Sequence, residues 1–356
     1  MNQRGAGEFR KSVENPERPG RQTLRATRTL MVAIAAGFVF AVSAGVAAGQ
    51  SGPPAWAYGF TAPNGPLPKS GSESLPMEDP TPKHLAGSKS SFTLAQIWDV
   101  FGPADWYPED HPPMPEIVAH GHKPNVNACG FCHYPNGKGR SENTSVAGLP
   151  YEYFVKTIGD FKSGARKTAD SRRLNANVMN TFAAGMTDED VKAAAKYFGA
   201  MKWTPWIRVV EAGTVPKIGN RGHMFFALPG SETEPIGDRI IEIPEDTDLT
   251  TVVRDDHSGF IAYAPVGSVK KGEALVTTGG GGKTIPCGAC HGDKLQGMGA
   301  VPGIAGRSPS YLVRQMYDMQ QGFRTGVGTE LMKPVVERLT QDDMLAIAAY
   351  TSSRVP

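Results

Sequence analysis

No cysteine in this 356-residue chain stands outside two five-residue signatures. The four present are Cys129 and Cys132, followed by His133, and Cys287 and Cys290, followed by His291. With none left over, a disulfide framework would have to use up the signatures themselves. An excess of charge of either sign is also missing, because 37 Lys and Arg offset 35 Asp and Glu to leave +2. No basic patch or stripe stands out, which points away from nucleic acid as a partner. Beyond residue 48 no stretch is apolar enough to supply the roughly 20 residues of a membrane-spanning helix. Long uninterrupted core segments are scarce too. The 42 glycines and 29 prolines make 71 of 356 residues, well above the usual share of about 12%. Such a loop-rich chain needs something other than side chains to fill its interior, and a large prosthetic group can do that.

Both signatures read C-x-x-C-H, the attachment sequence of a c-type haem. Two thiols three positions apart lie on one side of a helical turn, and the next residue brings an imidazole beside them. That arrangement suits two thioether bonds to a porphyrin edge and one nitrogen bond to its iron. A shared zinc site is the plainer alternative, but zinc-binding pairs lie about 15–20 residues apart, whereas 154 residues separate Cys132 from Cys287. A redox dithiol belongs near a βαβ pattern, and none is visible. Two disulfides would not call for a histidine after each pair. The reading is two covalently bound haem c groups, held by Cys129, Cys132, Cys287 and Cys290, with His133 and His291 on the irons.

The chain starts with a basic stretch to Arg28, continues with an apolar run from Leu30 to Ala48, and leaves it through small residues. These are the parts of a secretory signal, so residues 1–48 are expected to direct export, with cleavage near Ala48. An uncleaved membrane tether through residues 29–48 is the other reading. Either places the rest of the chain in the periplasm, where haem c is attached. Removing the seven basic and three acidic residues of 1–48 leaves 30 and 32, a net charge of −2.

Aligning the two haem histidines exposes a repeat. Tyr153 and Tyr311 lie 20 residues after His133 and His291, and Gly164 and Gly322, then Arg166 and Arg324, follow at matching offsets. The spacing then diverges by five residues, as a loop insertion would make it, and resumes at Met179 and Met332. Thr187 and Thr340, each with an acid three residues later, read as capping boxes that start a final helix. Pro150 and Pro309 suit first helical positions, the second capped by Ser308. Each repeat thus reads as an attachment helix, a middle helix, a ligand loop and a final helix. The expected organisation is an export segment 1–48, an extended linker 49–90, one haem domain at 91–202, a connecting segment 203–267 and a second haem domain at 268–356. The fold class is all-α, two cytochrome-c-like haem domains joined by an irregular segment with short β-strands. Ile240, Ile241, Glu242, Ile243 and Pro244 form one strand-like run; Phe260, Ile261, Ala262 and Tyr263 form another.

The sixth position of each iron decides between electron transfer and catalysis. Met179 and Met332 are the candidates, since a thioether is a soft ligand and both precede a capped helix at equivalent places. Met186 competes in the first repeat but aligns with Leu339 and should be core. The His120–His122 pair reads as a surface loop. The glycine-rich run from Thr277 to Thr284 is a turn leading to the second signature rather than a phosphate loop.

Residues 269–353 resemble class I cytochrome c, through Cys287 to His291, the run from Pro302 to Arg307, Tyr311-Leu312, Gly322-Phe323-Arg324, Met332 and Ala348-Ala349-Tyr350. Residues 91–202 look like a divergent copy, with Gly148-Leu149-Pro150 and Met179. Together they are similar to periplasmic dihaem cytochromes of the cytochrome c4 type and to haem subunits of bacterial dehydrogenases. The resemblance implies His/Met ligation, single-electron transfer, and redox donor and acceptor proteins as partners, a dehydrogenase among them. It implies an electron carrier rather than an enzyme. The alternative is a dihaem peroxidase with one open haem site, which would need an acid–base group beside that iron.

Overall fold

The structure, a computed structural model, describes residues 52–69, 71–326 and 328–356. The expected export segment, residues 1–48, lies outside them. Among the described residues no helix is long and apolar enough to cross a membrane.

In the first repeat a short attachment helix α1 (Cys129–His133) is followed by α2 (Tyr151–Lys162), α3 (Leu174–Gly185) and α4 (Asp188–Gly199). Thr187 starts α4 with the expected capping box: its hydroxyl accepts from Asp190 N at 3.1 Å, and Asp190 accepts from Thr187 N at 2.8 Å. Three acids in the first turn complement the helix dipole. The helix buries Val191, Ala194, Ala195, Tyr197 and Phe198 at helical spacing against Phe154 and Ile158 of α2. Burying each large side chain here contributes about 1.5–3 kcal/mol. Pro150 is not the first helical residue but the extended cap before α2, with ψ 138°.

The second repeat contains α5 (Ser268–Thr278), attachment helix α6 (Gly288–His291), α7 (Pro309–Gln320), the short α8 (Lys333–Val336) and α9 (Gln341–Ser352). Helices α5 and α9 cross at Gly272, where even a methyl carbon would lie 2.0 Å from Ala346 O. Asp343 anchors the start of α9. Its carboxylate accepts from Thr340 N at 2.9 Å, lies 3.0 Å from Lys271 Nζ, and pairs with Lys283. Burial pushes Asp343 up, but Lys283, Thr340 and Lys271 outweigh it and hold the carboxyl well below its ordinary range. A depressed carboxylate stabilises the fold above its unfolded pKa, near 4, and that stability is lost as pH falls through the folded value. Asp343→Asn is therefore expected to cost about 2 kcal/mol at neutral pH and to flatten the loss of stability below pH 4, as read from denaturant midpoints across pH.

The connecting segment shows why all-α is too narrow a description. Strand β1 (Ile207–Glu211) runs parallel to β5 (Phe260–Ala264), which pairs antiparallel with β4 (Ile241–Pro244). A hairpin of β2 (Ile218–Arg221) and β3 (Met224–Ala227) turns through Gly222 and His223, both at positive φ. These two left-handed residues suit the tight hairpin turn that follows strand twist. The strand-like runs at 240–244 and 260–263 correspond to β4 and β5. Every residue of β4 is buried, as expected for a strand covered on both faces. Ile241, Ile243, Ala262 and Ala264 join Leu275, Val313, Met344 and Ile347 in one apolar cluster. The segment therefore shares its core with the second repeat. Residues near the start of the described chain do the same. Ala55–Tyr58 form a buried 3-10 turn, not an extended stretch, and Trp56, Tyr58 and Phe60 enter that cluster. Apolar aromatics set among glycines and prolines leave no periodic signal, so this burial could not be read from pattern.

Candidate haem sites

The two signatures fold alike. In each, the histidine ends a single helical turn and its Nδ1 faces the carbonyl of the residue eleven positions later. His133 Nδ1 is 2.8 Å from Thr144 O, and His291 Nδ1 is 2.7 Å from Pro302 O. A carbonyl can only accept, so each Nδ1 carries the proton and each Nε2 presents a lone pair. Burial lowers both imidazole pKa values, against the opposing effect of the carbonyl bond. Both rings are thus neutral, oriented, and able to donate to a metal. All four cysteines are unpaired. Burial pushes the Cys129 thiol up to about 12 and that of Cys287 up to about 11, which suits neither a thiolate nucleophile nor a redox dithiol.

Beside the first signature lies a cavity of about 300 Å³. Cys129, Cys132 and His133 line one part of it, and Phe154, Ile158 and Phe161 of α2 with Met179, Phe182 and Met186 line another. Charged residues line it as well: Arg166, Lys167, Arg173 and, from α7 of the other repeat, Arg314, together with Glu142 and Asp318. Arg166, Arg173 and Arg314 are buried. Buried guanidinium groups need compensating acceptors, and here they border an apolar chamber that also presents two thiols and an imidazole. Haem c matches that set: an apolar macrocycle, two thioether positions, an iron and two carboxylates. The residues present fit the group.

Met179 lies at this cavity, but on helix α3 rather than in a loop. The extra residues of the first repeat lengthen a helix where the second repeat has only α8. Met186 lines the same cavity and is buried, so the expected core residue and the expected ligand both face it. Met332 is the residue before α8 and packs with Cys287 against the carboxy-terminal core. His120 and His122 are not among the residues lining the cavity. Nδ1 of the first bonds Phe101 O at 3.0 Å, and Nε2 of the second bonds Asp190 at 2.9 Å.

The two repeats meet through residues whose equivalence was visible but whose contact was not. Arg166 donates to Tyr311 Oη at 3.0 Å, and Arg324 donates to Tyr153 Oη at 3.1 Å. Gln315 Oε1 accepts from both arginines, at 2.9 and 2.8 Å. The backbones pair antiparallel at Arg166 and Arg324, with Lys167 N bonded to Phe323 O at 2.7 Å and Thr325 N to Ala165 O at 2.8 Å. Each arginine thus reaches the tyrosine of the opposite repeat, the reciprocity of an isologous contact. Burial pushes Tyr311 up, but Arg166 and Arg324 outweigh it and hold the phenol below its usual range. Matching Tyr and Arg offsets in both copies were the available signal.

The cytochrome c family profile matches residues 118–202. Cytochrome c-554(548) of Halomonas halodenitrificans is 38% identical over 69 residues, 19% of this chain and 83% of that protein. The thiosulfate dehydrogenase electron acceptor of Stutzerimonas stutzeri is 26% identical over 233 residues, covering 65% of this chain and 80% of that protein. Cytochrome c4 of Pseudomonas aeruginosa is 22% identical over 227 residues, covering 62% and 81%. The peroxidase alternative finds no support among these relatives. A relative matched over most of its own length, set beside two signatures folded in the same way, places the chain in the cytochrome c family, as a dihaem electron-transfer member.

Proposed function

We propose that the chain is an exported electron acceptor for a periplasmic dehydrogenase, with residues 91–202 and 268–356 each forming a haem module. In this reading Cys129 and Cys132, and Cys287 and Cys290, form the thioether bonds. His133 and His291 would hold the irons through Nε2, and Met179 and Met332 would supply thioether sulfur as the further ligands. When bound, haem c supplies a reversible one-electron change at iron. The protein holds each imidazole in one tautomer and orientation, walls the first site with apolar side chains, and sets cations against its edge. Burial, ligand identity and hydrogen bonding are the means by which a protein sets the potential of such a group.

The observation that carries the reading is the equal pinning of His133 and His291 by carbonyls eleven residues on. With Nδ1 held in this way on both rings, each Nε2 lone pair is available to a metal. The donor class follows from the relative named as a thiosulfate dehydrogenase electron acceptor, together with the secretory pattern of residues 1–48. Mixing the reduced form of such a dehydrogenase with the oxidised protein should reduce it within the turnover time of the enzyme. Failure to accept electrons from any periplasmic dehydrogenase would remove the partner assignment.

Ligand identity is tested separately. Met332→Ala is expected to keep covalent haem, lower one of two midpoint potentials, and admit imidazole or cyanide at that iron. Met179→Ala should do the same to the other couple, whereas Met186→Leu should leave both spectra intact. Loss of the far-red thioether band in the Met186 variant, with retention in the Met179 variant, would exchange their roles.

A further inference from the structure

A cavity of about 10 Å³, the size of one water site, lies between the central strands and α7. Glu242 of β4, His223 at the tip of the β2–β3 hairpin and Arg314 of α7 line it. Among the described residues, two buried polar atoms of this lining meet no protein partner, Oε1 of Glu242 and Nδ1 of His223. Glu242 is 2% exposed and His223 7%. Bare buried groups of this kind are costly, and a water given two to four polar partners satisfies them. The other carboxylate oxygen is fully engaged. Glu242 Oε2 accepts from Ser308 Oγ at 2.7 Å, Ser310 Oγ at 2.8 Å and Ser310 N at 3.4 Å. Oε1 is therefore the oxygen free to carry a proton.

Arg314 connects this place with the first haem site, because it lines both cavities. Its guanidinium donates to Ala57 O at 2.6 Å and Ser141 O at 3.2 Å, and among the described residues it forms no ion pair with a carboxylate. Charge added at either cavity is felt by the same cation through a low-dielectric interior.

We propose that Glu242, with a water held between it and His223, is a proton-binding site coupled to the redox state of the amino-terminal haem site. When one electron from a donor protein arrives there, one proton from solvent forms the O–H bond at Glu242 Oε1. Both leave on reoxidation. The inference rests on the reading of the 300 Å³ cavity as a haem site.

Other titratable groups surround this carboxyl, Glu142 and Asp318 at the haem-site cavity among them. Burial pushes Glu242 up, opposed by its bonds to Ser308 and Ser310 and by Arg314. Burial, then Arg173 and Arg314, bring His223 down to about 4, so it stays a neutral hydrogen-bond partner. From α7, Asp318 is already bonded by Tyr58 Oη at 2.6 Å and Ala169 N at 2.9 Å. Arg172 and Asp170 pair at 2.6 Å, and Arg140 pairs with Glu142 beside Ser141. Strand β5 sets Ala262 opposite Glu242 and adds no charge there, β3 carries no titratable side chain, and the helical turn Thr247–Thr251 packed on β4 contributes Asp248. Reduction adds negative charge near Glu242, which favours its protonated form. The potential of that couple must then fall as pH rises.

The test is a spectroelectrochemical titration of the full-length dihaem protein from pH 5 to 9, wild type against Glu242→Gln. Glutamine keeps an acceptor oxygen for the two serines. One of the two wild-type couples should lose up to ten-fold in electron affinity per pH unit over its steep range, and the variant should lose that slope. Proton uptake on full reduction of the wild type, followed with an indicator dye in weak buffer, does not depend on the variant folding, and should approach one proton per chain. Redox-difference infrared spectra should show a protonated carboxyl band in the reduced wild type that is missing from the variant. Reversible couples indifferent to pH, no proton uptake, or an unchanged slope in Glu242→Gln would each overturn the inference. Absence of any reversible couple would overturn the haem reading with it.

Discussion

Replacing Cys129 and Cys132 together with alanine is expected to halve the haem bound per chain and to melt the amino-terminal helices. Without two thioether bonds nothing covalent retains the group at α1. What remains is a cavity of about 300 Å³ bordered by Phe154, Ile158, Phe161 and Phe182 on one part and buried arginines on another. Cavities in protein cores cost roughly 24 cal/mol per Å³, which sets an upper scale of about 7 kcal/mol for an empty site this large. That is comparable with the whole stability of a typical domain, roughly 5–15 kcal/mol. Helices α2, α3 and α4 should therefore lose protection while α5, α7 and α9 keep theirs. Haem-to-protein ratio by alkaline pyridine spectra and regional hydrogen exchange give the two readouts. A variant that still carries two covalent haems per chain would contradict the attachment assignment.

Gly272→Ala should produce the largest loss of stability of any single methyl addition tested at a helical glycine. The added carbon would sit 2.0 Å from Ala346 O and 2.7 Å from Tyr350 Cβ, and neither is the end of a flexible side chain. The α5–α9 crossing must then open, which exposes the core formed by Leu275, Val276, Met344 and Ile347. Overpacking of this kind costs about 3 kcal/mol or more when backbone must move. Gly159→Ala is the matched control. Gly159 lies inside α2 with nothing within 4 Å of the added carbon, so the same change should stabilise that helix by about 0.5–1 kcal/mol. Opposite signs for one substitution at two helical glycines, measured by thermal melting of the dihaem protein, would confirm that contact and not propensity decides. A neutral Gly272→Ala would mean that α5 and α9 are farther apart than described.

What could be read from the sequence was whatever local chemistry determines. The capping boxes at Thr187 and Thr340 need only residues three apart, and both formed. The attachment turns and the strands β4 and β5 are local in the same sense. Helix α3 stands where a ligand loop is expected, because a five-residue insertion carries no sign of whether it coils or forms a helix. The burial of Trp56, Tyr58 and Phe60 depends on α7, roughly 250 residues later, as the bond from Tyr58 to Asp318 shows. Glu242 is the one charged residue in the strand-like run from Ile240 to Pro244. Its serine partners lie 66 and 68 residues on, beyond any periodic pattern. Of the candidate site, the thiols and imidazoles announced themselves by spacing, whereas the arginine wall did not, because its members come from both repeats.

The crossed pairs, Arg166 with Tyr311 and Arg324 with Tyr153, have a consequence for how such a chain can diverge. Each half presents the same two side chains to the other, so no substitution at the seam is private to one half. A change at one arginine alters the surroundings of its opposite tyrosine and, through Gln315, of the other arginine as well. The two halves can drift apart freely in their loops and in the connecting strands. At the seam they must accumulate changes in step, and there the memory of a duplicated ancestor should fade most slowly.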